Sequence, residues 1–265
     1  MEERLEGKTA IVTGAGSGLG AAAATRFAAE GATVLCADLS AESASAVAAE
    51  IEAAGGSASA LAADVAAAED NERMAAAALE RHGGIDVLYA NAGIPGEGRA
   101  GEVDAAAWER TIAVNLTGTF LSARAVLPAM VEGGGGCILN QASVAGLVAL
   151  PALAPYSAAK GGVISLTRQM ALDYAAAGVR VNAICPGTVP TPLVRSAYER
   201  RTAAEPGRSA EEAMEASTAR IPLGRLGSVE DVAGLAAFLA SDEGAWITGA
   251  VYTVDGGMTL NGGRA

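Results

Sequence analysis

The chain has 265 residues, of which 51% are hydrophobic and 18% charged, so it can bury a large core. Its formal net charge of −12 opposes binding to DNA, RNA or anionic membranes through a basic surface, although backbone amides can still hold the phosphates of a nucleotide. A single histidine, His82, argues against a histidine-based metal site or a Ser-His-Asp triad, and we expect it at the surface, at the end of a helix.

Short apolar runs alternate with alanine-rich helical patterns along the whole chain. The apolar runs predict strands at residues 9–13, 33–37, 57–63, 85–89, 136–142, 179–185 and 251–254. The patterns between them predict helices at residues 18–30, 41–54, 67–81, 105–130, 156–176 and 229–239. Strands that alternate with helices and are apolar throughout are typical of a doubly wound parallel sheet with helices on both faces. No linker-like break divides the chain, so we expect an α/β fold with one domain over residues 1–265.

A glycine-rich turn follows the first predicted strand and opens the first predicted helix. Its spacing is Gly-x-x-x-Gly-x-Gly, through Gly14, Gly18 and Gly20. Glycines allow a sharp turn and the close approach of a pyrophosphate, and the N-terminus of the helix offers free N–H groups to it. A plain tight turn has the same composition, but no lysine precedes a Ser or Thr, which excludes a Walker-type phosphate loop.

Asp38 ends the second predicted strand, where an acidic residue can accept hydrogen bonds from the adenosine ribose of a dinucleotide. Its charge would also repel a 2′-phosphate. Ser17 and Leu39 stand where NADP would require a positive charge. The sequence therefore favours NAD over NADP as the cofactor.

Tyr156 and Lys160 are four residues apart on a predicted helix, so their side chains share one face. An ammonium group beside a phenol stabilises the phenolate and should lower the pKa of Tyr156 from about 10 toward neutrality. Lys160 is one of only two lysines in the chain, beside Lys8, which favours a chemical role over a coincidental surface pair.

Residues 188–222 are rich in Glu and Arg and lie between two regular units, so we expect a mobile lid with short helices. Its arginines could meet an anionic substrate, but ion pairs within the segment are favoured. The arginines concerned are Arg195, Arg200, Arg201 and Arg208, and the acidic partners are Glu199, Glu205, Glu211 and Glu212.

Cys36, Cys137 and Cys185 lie far apart in strand-like runs. Their odd number and their spacing predict buried free thiols, no metal site and a cytoplasmic location. The chain begins without the apolar stretch of a signal peptide, and no run of about eighteen apolar residues lacks a charge or helix breaker. We therefore expect no membrane span.

These motifs, taken in order, resemble the short-chain dehydrogenase/reductase family in its single-domain, NAD-preferring form. Residues 13–20 resemble its cofactor motif, Asp64-Val65 the pair that meets the adenine, and Asn91-Ala-Gly93 the motif after the fourth strand, although Ala90 replaces a usual asparagine. Ser143, thirteen residues before Tyr156, resembles the catalytic serine, although Ala142 replaces a frequent serine. The run Pro186-Gly-Thr-Val-Pro-Thr191 resembles the loop that grips the nicotinamide.

The resemblance implies a Rossmann fold and the following site. The implied catalytic residues are Asn115, Ser143, Tyr156 and Lys160. The implied cofactor-binding residues are Gly14, Ser17, Gly18, Leu19, Gly20, Asp38, Leu39, Asp64, Val65, Asn91, Ala92, Gly93, Tyr156, Lys160, Pro186, Gly187, Val189 and Thr191. In this family Tyr156 would exchange the alcohol proton, Ser143 would donate to the substrate oxygen, Lys160 would bind the nicotinamide ribose and Asn115 would hold a water that links Lys160 to solvent. No metal is required, and the family implies a homotetramer built on the helices at 105–130 and 156–176.

The resemblance implies a small alcohol or ketone as the substrate, and the predicted pocket wall at residues 144–154 has neither charge nor hydroxyl group. An apolar or cyclic secondary alcohol fits such a wall. Two alternatives stay open. One is a 3-oxoacyl-carrier-protein reductase that uses NADPH, which Asp38 and the acidic composition disfavour. The other is a catalytically silent dinucleotide-binding sensor, which the intact set of catalytic residues disfavours.

Overall fold

The computed structural model describes residues 3–203, 207 and 209–261. They form a seven-stranded, fully parallel sheet in the order β3-β2-β1-β4-β5-β6-β7, with helices on both faces, which confirms the predicted fold class. The strands are β1 (Thr9–Thr13), β2 (Thr33–Asp38), β3 (Ser57–Ala62), β4 (Val87–Ala90), β5 (Gly136–Gln141), β6 (Val179–Pro186) and β7 (Val251–Val254). The helices are α1 (Gly18–Ala29), α2 (Ala41–Ala53), α3 (Ala68–His82), α4 (Ala105–Ile112), α5 (Gly118–Glu132), α6 (Ala154–Tyr174), α7 (Pro192–Thr202), α8 (Ala210–Ser217) and α9 (Val229–Ala240).

Each central strand is buried on both faces, as its continuous apolar sequence requires. On β1, Val12 packs with Phe27 of α1 and Val232 of α9, whereas Ile11 packs on the other face with Met130 of α5. Cys36, Cys137 and Cys185 are buried free thiols on β2, β5 and β6, as expected.

The order of the strands places a crevice where β1 and β4 are neighbours. From β1 the chain builds outward to β3 on one side, then crosses to β4 and builds outward on the other side. The connections that follow β1 and β4 leave the sheet in opposite directions. The carboxyl ends of these two strands are therefore open to a ligand.

Two predicted elements differ from the structure in ways that affect this crevice. The fourth strand is Val87–Ala90 and not residues 85–89, because its ladder with β1 begins at Val87. The helix predicted over residues 105–130 is divided into α4 and α5 by a π-helical turn at Ala113–Thr117. Such turns leave no clear mark in a hydrophobic pattern, and they are frequent at functional sites.

The helix predicted at residues 156–176 begins earlier, at Ala154, because Pro155 in its first turn suits the start of a helix. Tyr156 thus lies in the first turn of α6, and β5 ends at Gln141, two residues before Ser143. The segment predicted as a lid contains α7 and α8. Its mobility stays a prediction.

One described helical stretch, Ala105–Glu132, is apolar and long enough to cross a membrane by length and composition alone. Of its most apolar part, 44% is buried in the fold, and core helices share that composition. This is weak evidence for a span, and the absence of one stays a prediction.

Candidate active site

The glycine-rich turn is tied to the end of β4. The Thr13 hydroxyl accepts hydrogen bonds from the backbone N–H groups of Asn91 and Ala92, both at 3.0 Å. The Asn91 amide donates back to the Thr13 carbonyl at 2.9 Å. Gly20 is required here, since a Cβ atom at this position would lie 2.1 Å from the Gly14 carbonyl oxygen. The turn is therefore a glycine-rich cradle at the N-terminus of α1, the arrangement that suits a pyrophosphate.

Asp38 closes the same turn from the end of β2. Its carboxylate accepts hydrogen bonds from Gly16 N and from Ser40 N, both at 2.9 Å. The neighbouring Leu39 is 71% exposed and carries no charge. The carboxylate thus faces the crevice without a cationic neighbour in sequence.

A cleft of about 550 Å³ runs along the crevice. It is lined by all the predicted site residues except Gly20 and Asn115. Those two lie behind the surface, Gly20 against the glycine turn and Asn115 completely buried. The structure therefore brings the predicted dinucleotide residues and the Ser143, Tyr156 and Lys160 side chains into one cavity.

Further lining residues were not predicted as site residues: Ala63, Ala66, Ile94, Arg110, Ala113, Val114, Gln141, Ala142, Pro192, Leu193 and Val194. Several directly follow or precede predicted residues, so proximity in sequence could have indicated them. The side chains from α4 and α7 have no such signal, because the tertiary fold alone brings those helices to the cleft.

Asn115 holds the loop that follows β4. Its Oδ1 accepts from Ile94 N, and its Nδ2 donates to the carbonyls of Ile94 (3.0 Å) and Thr111 (3.1 Å). The Thr119 hydroxyl donates to the main-chain carbonyl of Asn115 at 3.0 Å. The water-binding role that the resemblance implied stays a prediction. Asn115 lies in the π-helical turn, which brings this position against the loop.

Tyr156 and Lys160 share one face of α6, as the spacing predicted. The Lys160 ammonium nitrogen lies 5.7 Å from the centre of the Tyr156 ring. That nitrogen donates a hydrogen bond to the main-chain carbonyl of Gln141 at 2.6 Å, and the lysine is only 2% exposed. The end of β5 therefore positions the lysine.

The prediction that Lys160 lowers the pKa of Tyr156 is wrong for this arrangement. Burial raises the pKa of Tyr156 to about 12, partly opposed by a hydrogen bond from Ser143. Burial also lowers the pKa of Lys160 to about 8. Burying the Tyr156 phenolate or the Lys160 ammonium costs more free energy than their mutual attraction returns at this separation. Burial therefore shifts both groups toward their neutral forms.

Ser143 follows β5 in an extended conformation and caps the short 3-10 turn Val144–Gly146, accepting a hydrogen bond from Ala145 N at 3.1 Å. Its hydroxyl therefore has a fixed acceptor role and a free proton. That proton is available to the Tyr156 oxygen or to a substrate oxygen beside it.

Gln141 is a feature that the sequence patterns did not reveal. Its side-chain oxygen accepts a hydrogen bond from the buried Tyr89 hydroxyl, while its main-chain carbonyl holds Lys160. Tyr89 and Gln141 lie in strands whose sequences are mainly apolar. Their pairing depends on the position of β4 beside β5, which the sequence alone does not specify.

In the part of the chain that the structure describes, no cluster of three or more His, Cys, Asp or Glu side chains could hold a metal ion. The polar groups of the cleft include instead the backbone of the glycine-rich turn, the Asp38 carboxylate at the end of β2, the Ser143 and Tyr156 hydroxyls and the Lys160 ammonium. These residues fit a nicotinamide dinucleotide laid along the crevice.

Comparisons with known proteins agree with this geometry. A family model described as enoyl-(acyl carrier protein) reductase matches residues 14–259. The chain is 43% identical over 260 residues to 2-(S)-hydroxypropyl-CoM dehydrogenase 3 of Xanthobacter autotrophicus, which covers 98% of this chain and 99% of that protein. It is 39% identical over 261 residues to cyclohexanol dehydrogenase of an Acinetobacter species, covering 98% of each chain. The crystal structure of levodione reductase superposes with a TM-score of 0.90 at 36% identity, over 96% of this chain and 98% of that one.

Proposed function

Because this chain belongs to the short-chain dehydrogenase/reductase family, whose members are oxidoreductases that use a nicotinamide dinucleotide, we propose that it transfers a hydride between NAD(H) and a secondary alcohol or its ketone. The observation that carries the proposal is the presence of Ser143, Tyr156 and Lys160 in the cleft that also contains the glycine turn and Asp38. Relatives that are named as alcohol and diol dehydrogenases support oxidation of a CH–OH group.

NAD is the proposed cofactor because Asp38 is the charged group at the ribose end of the glycine turn. Its carboxylate is held by two backbone N–H groups and lines the cleft. A 2′-phosphate would meet this negative charge, while ribose hydroxyls would donate to it.

Tyr156 is the proposed acid–base group. A phenol with a pKa of about 12 exchanges protons poorly at neutral pH, and poising it near pH 7 requires about 7 kcal/mol of selective phenolate stabilisation. Lys160 supplies part of it by turning its ammonium from Gln141 toward the phenol, while the hydrogen bond from Ser143 is already included in the value of about 12. A bound oxidised nicotinamide supplies the hydride acceptor and a further positive charge.

Apolar side chains in the cleft support an apolar or cyclic alcohol as the substrate. Ile94, Leu193 and Val194 line the cleft that also contains Ser143 and Tyr156. The relatives named cyclohexanol dehydrogenase and 2,5-dichloro-2,5-cyclohexadiene-1,4-diol dehydrogenase fit such a pocket. The relative named D-threitol dehydrogenase represents the opposite, polyol case. A panel of alcohols assayed with NAD would decide: faster oxidation of threitol than of cyclohexanol would contradict an apolar substrate.

A second candidate is a carrier-protein reductase. It is favoured by the description of the matching family model and by a relative named 3-oxoacyl-[acyl-carrier-protein] reductase, 37% identical over 257 residues. Asp38 disfavours the NADPH that was expected for such an enzyme. A kcat/KM at least tenfold higher with NADPH than with NADH would support this candidate over NAD-dependent alcohol oxidation.

Tyr156→Phe tests the assigned chemistry. It should lower kcat for alcohol oxidation by about a hundredfold or more, since acid–base catalysis contributes on that scale, while the Kd for NAD stays within about twofold. Tyr174→Phe is the matched control, because it removes a hydroxyl from the far end of the same helix. Retained turnover in Tyr156→Phe would contradict the role, and NAD binding by the wild type without oxidation of any alcohol would favour a silent sensor.

The cytoplasmic location and the homotetramer remain proposals that rest on the buried thiols and on the family resemblance. Light scattering on the eluted protein would test the tetramer.

A further inference from the structure

The loop that follows β4, residues 93–98, is held rigidly beside the start of α6. Asn115 bonds both backbone groups of Ile94. Gly96 is packed so closely that a Cβ atom there would lie 2.5 Å from the Thr111 side chain and 3.1 Å from Tyr156 N. Gly98 then exchanges backbone hydrogen bonds with Ala152 and Ala154 at 2.8 and 3.1 Å. The loop is therefore a fixed part of the wall that carries Tyr156.

Glu97 projects a carboxylate from this fixed loop to helix α7. Its Oε2 accepts from Arg200 Nε at 2.7 Å, and its Oε1 lies 3.5 Å from Arg201 Nε. The Oε1 atom is shielded from solvent and has no other described partner. The sequence prediction for Arg200 and Arg201 was therefore wrong: they pair with Glu97 of the loop that follows β4 and not with the acidic residues of their own segment. Arg195 does pair within the segment, with Glu211 at 3.7 Å, while Arg208 and Glu205 lie outside the described residues.

Among the described elements, helix α7 packs mainly against α8, which belongs to the same segment. None of its described residues is fully buried, so it lacks an apolar anchor in the main fold. Yet its first turn supplies Pro192, Leu193 and Val194 to the cleft. A helix without a buried face takes its position from its ends and from its polar contacts, and the Glu97 contacts lie at the end opposite to these lining residues.

We infer that Glu97 is a positioning residue, which binds Arg200 and Arg201 and thereby holds α7 so that Leu193 and Val194 line the cleft. The expected change in the kinetics rests on the proposed function, whereas the expected change in the position of α7 does not. Glu97 does not line the cleft, so it acts on a bound ligand only through α7, whose first residues also lie beside Gly18 of the glycine turn.

The experiment compares Glu97→Gln with Glu102→Gln. Glu102 belongs to the connection between the same loop and α4, and it pairs with Arg99 at 3.6 Å, so it controls for loss of a surface charge without loss of the contact to α7. Both purified proteins are digested briefly with trypsin, and cleavage after Arg200 and Arg201 is followed by mass spectrometry. The same proteins are assayed with NAD and cyclohexanol, or with the best alcohol of the panel, at low and high salt.

Glu97→Gln should speed cleavage after Arg200 and Arg201 about fivefold and raise KM for the alcohol by a similar factor, the size of a partly exposed ion-pair network. The melting temperature should match that of Glu102→Gln. High salt should raise the cleavage rate and the alcohol KM of the wild type toward those of Glu97→Gln, because exposed ion pairs are screened. The values of Glu97→Gln should not change with salt.

Equal proteolysis of the two variants would overturn the inference whatever the enzyme assays show. A wild type that oxidises no alcohol would overturn the proposed function, while the cleavage rates would still report on Glu97. A melting temperature of Glu97→Gln well below that of Glu102→Gln would also overturn the inference, since it would indicate a general loss of structure.

Discussion

The buried charge of Lys160 gives a quantitative prediction for the variant Lys160→Met. The side chain is 2% exposed, and burial lowers its pKa from the ordinary 10.5 to about 8. Below about pH 8 the lysine is protonated in both the folded and the unfolded chain, and the folded state bears the cost of desolvation. Between about 8 and 10.5 the unfolded chain holds more protons than the folded one, so the stability of the wild type rises with pH in this window.

The magnitude follows from the two values. At about 1.36 kcal/mol for each pH unit between 10.5 and 8, the burial of the charged lysine costs about 3 kcal/mol at neutral pH. Methionine fills a similar volume without the charge, but it leaves the Gln141 carbonyl without its 2.6 Å donor. That loss costs about 1–3 kcal/mol. Lys160→Met should therefore be as stable as the wild type or more stable near neutral pH, and clearly less stable above pH 10.5.

Urea unfolding at equal protein concentration measures this difference. The free energy of unfolding of the wild type, relative to Lys160→Met, should rise by about 3 kcal/mol between pH 7 and 10.5. Lys8→Met is the control, because Lys8 is the other lysine and its side chain is 27% exposed beside Asp242. A difference between wild type and Lys160→Met that stays constant with pH, or that falls as pH rises, would refute the reasoning.

Two further predictions concern buried or anchored carboxylates. Asp38→Ala should lower kcat/KM with NAD about 10- to 100-fold, because it removes charge-assisted hydrogen bonds to the ribose. It should lower kcat/KM with NADP far less. Steady-state kinetics measures both values, and an unchanged ratio of kcat/KM for NAD to that for NADP would show that the assignment is wrong. Glu30, with 1% side-chain exposure, accepts from Arg4 at 2.7 Å and from Arg26, and although burial alone would raise its pKa, these hydrogen bonds lower it. Glu30→Gln should lower the free energy of unfolding by about 3 kcal/mol at neutral pH. It should also reduce the loss of stability that the wild type shows as pH falls below 4.5. Urea unfolding at several pH values measures both effects, and an equal loss of stability in wild type and variant below pH 4.5 would contradict the prediction.

The sequence predicted the cofactor end of the cleft well because its determinants are local. Gly14, Gly18 and Gly20 lie within one turn, and Asp38 follows from the end of one strand. Each depends on backbone geometry at a strand end, which a short motif specifies. The structure places them together without any change to the predicted elements, apart from one or two residues at their ends.

The ion pairs between Glu97 and the arginines of α7 were not predictable in the same way. Glu97 and Arg200 are 103 positions apart, and no periodic pattern pairs them. The predicted partners of the arginines were simply the acidic residues nearest in sequence. A charged side chain on an exposed helix has many partners of similar energy, so the choice among them is decided by where the fold brings the helix.

The Tyr156–Lys160 pair shows that a sequence motif predicts the relative position of two side chains more reliably than their pKa values. The spacing of the two residues predicted a shared helical face, and the 5.7 Å separation agrees. The predicted direction of the Tyr156 pKa shift was wrong because it counted the attraction between the two charges and omitted the burial of both. Burial acts on each group separately and moves their values to about 12 and about 8, so that both neutral forms prevail near pH 9 to 10. Any change that admits water to the cleft without moving α6 should therefore lower the pKa of Tyr156 and raise that of Lys160 together, whereas a change that only alters their separation would leave the larger, burial-driven part of both shifts in place.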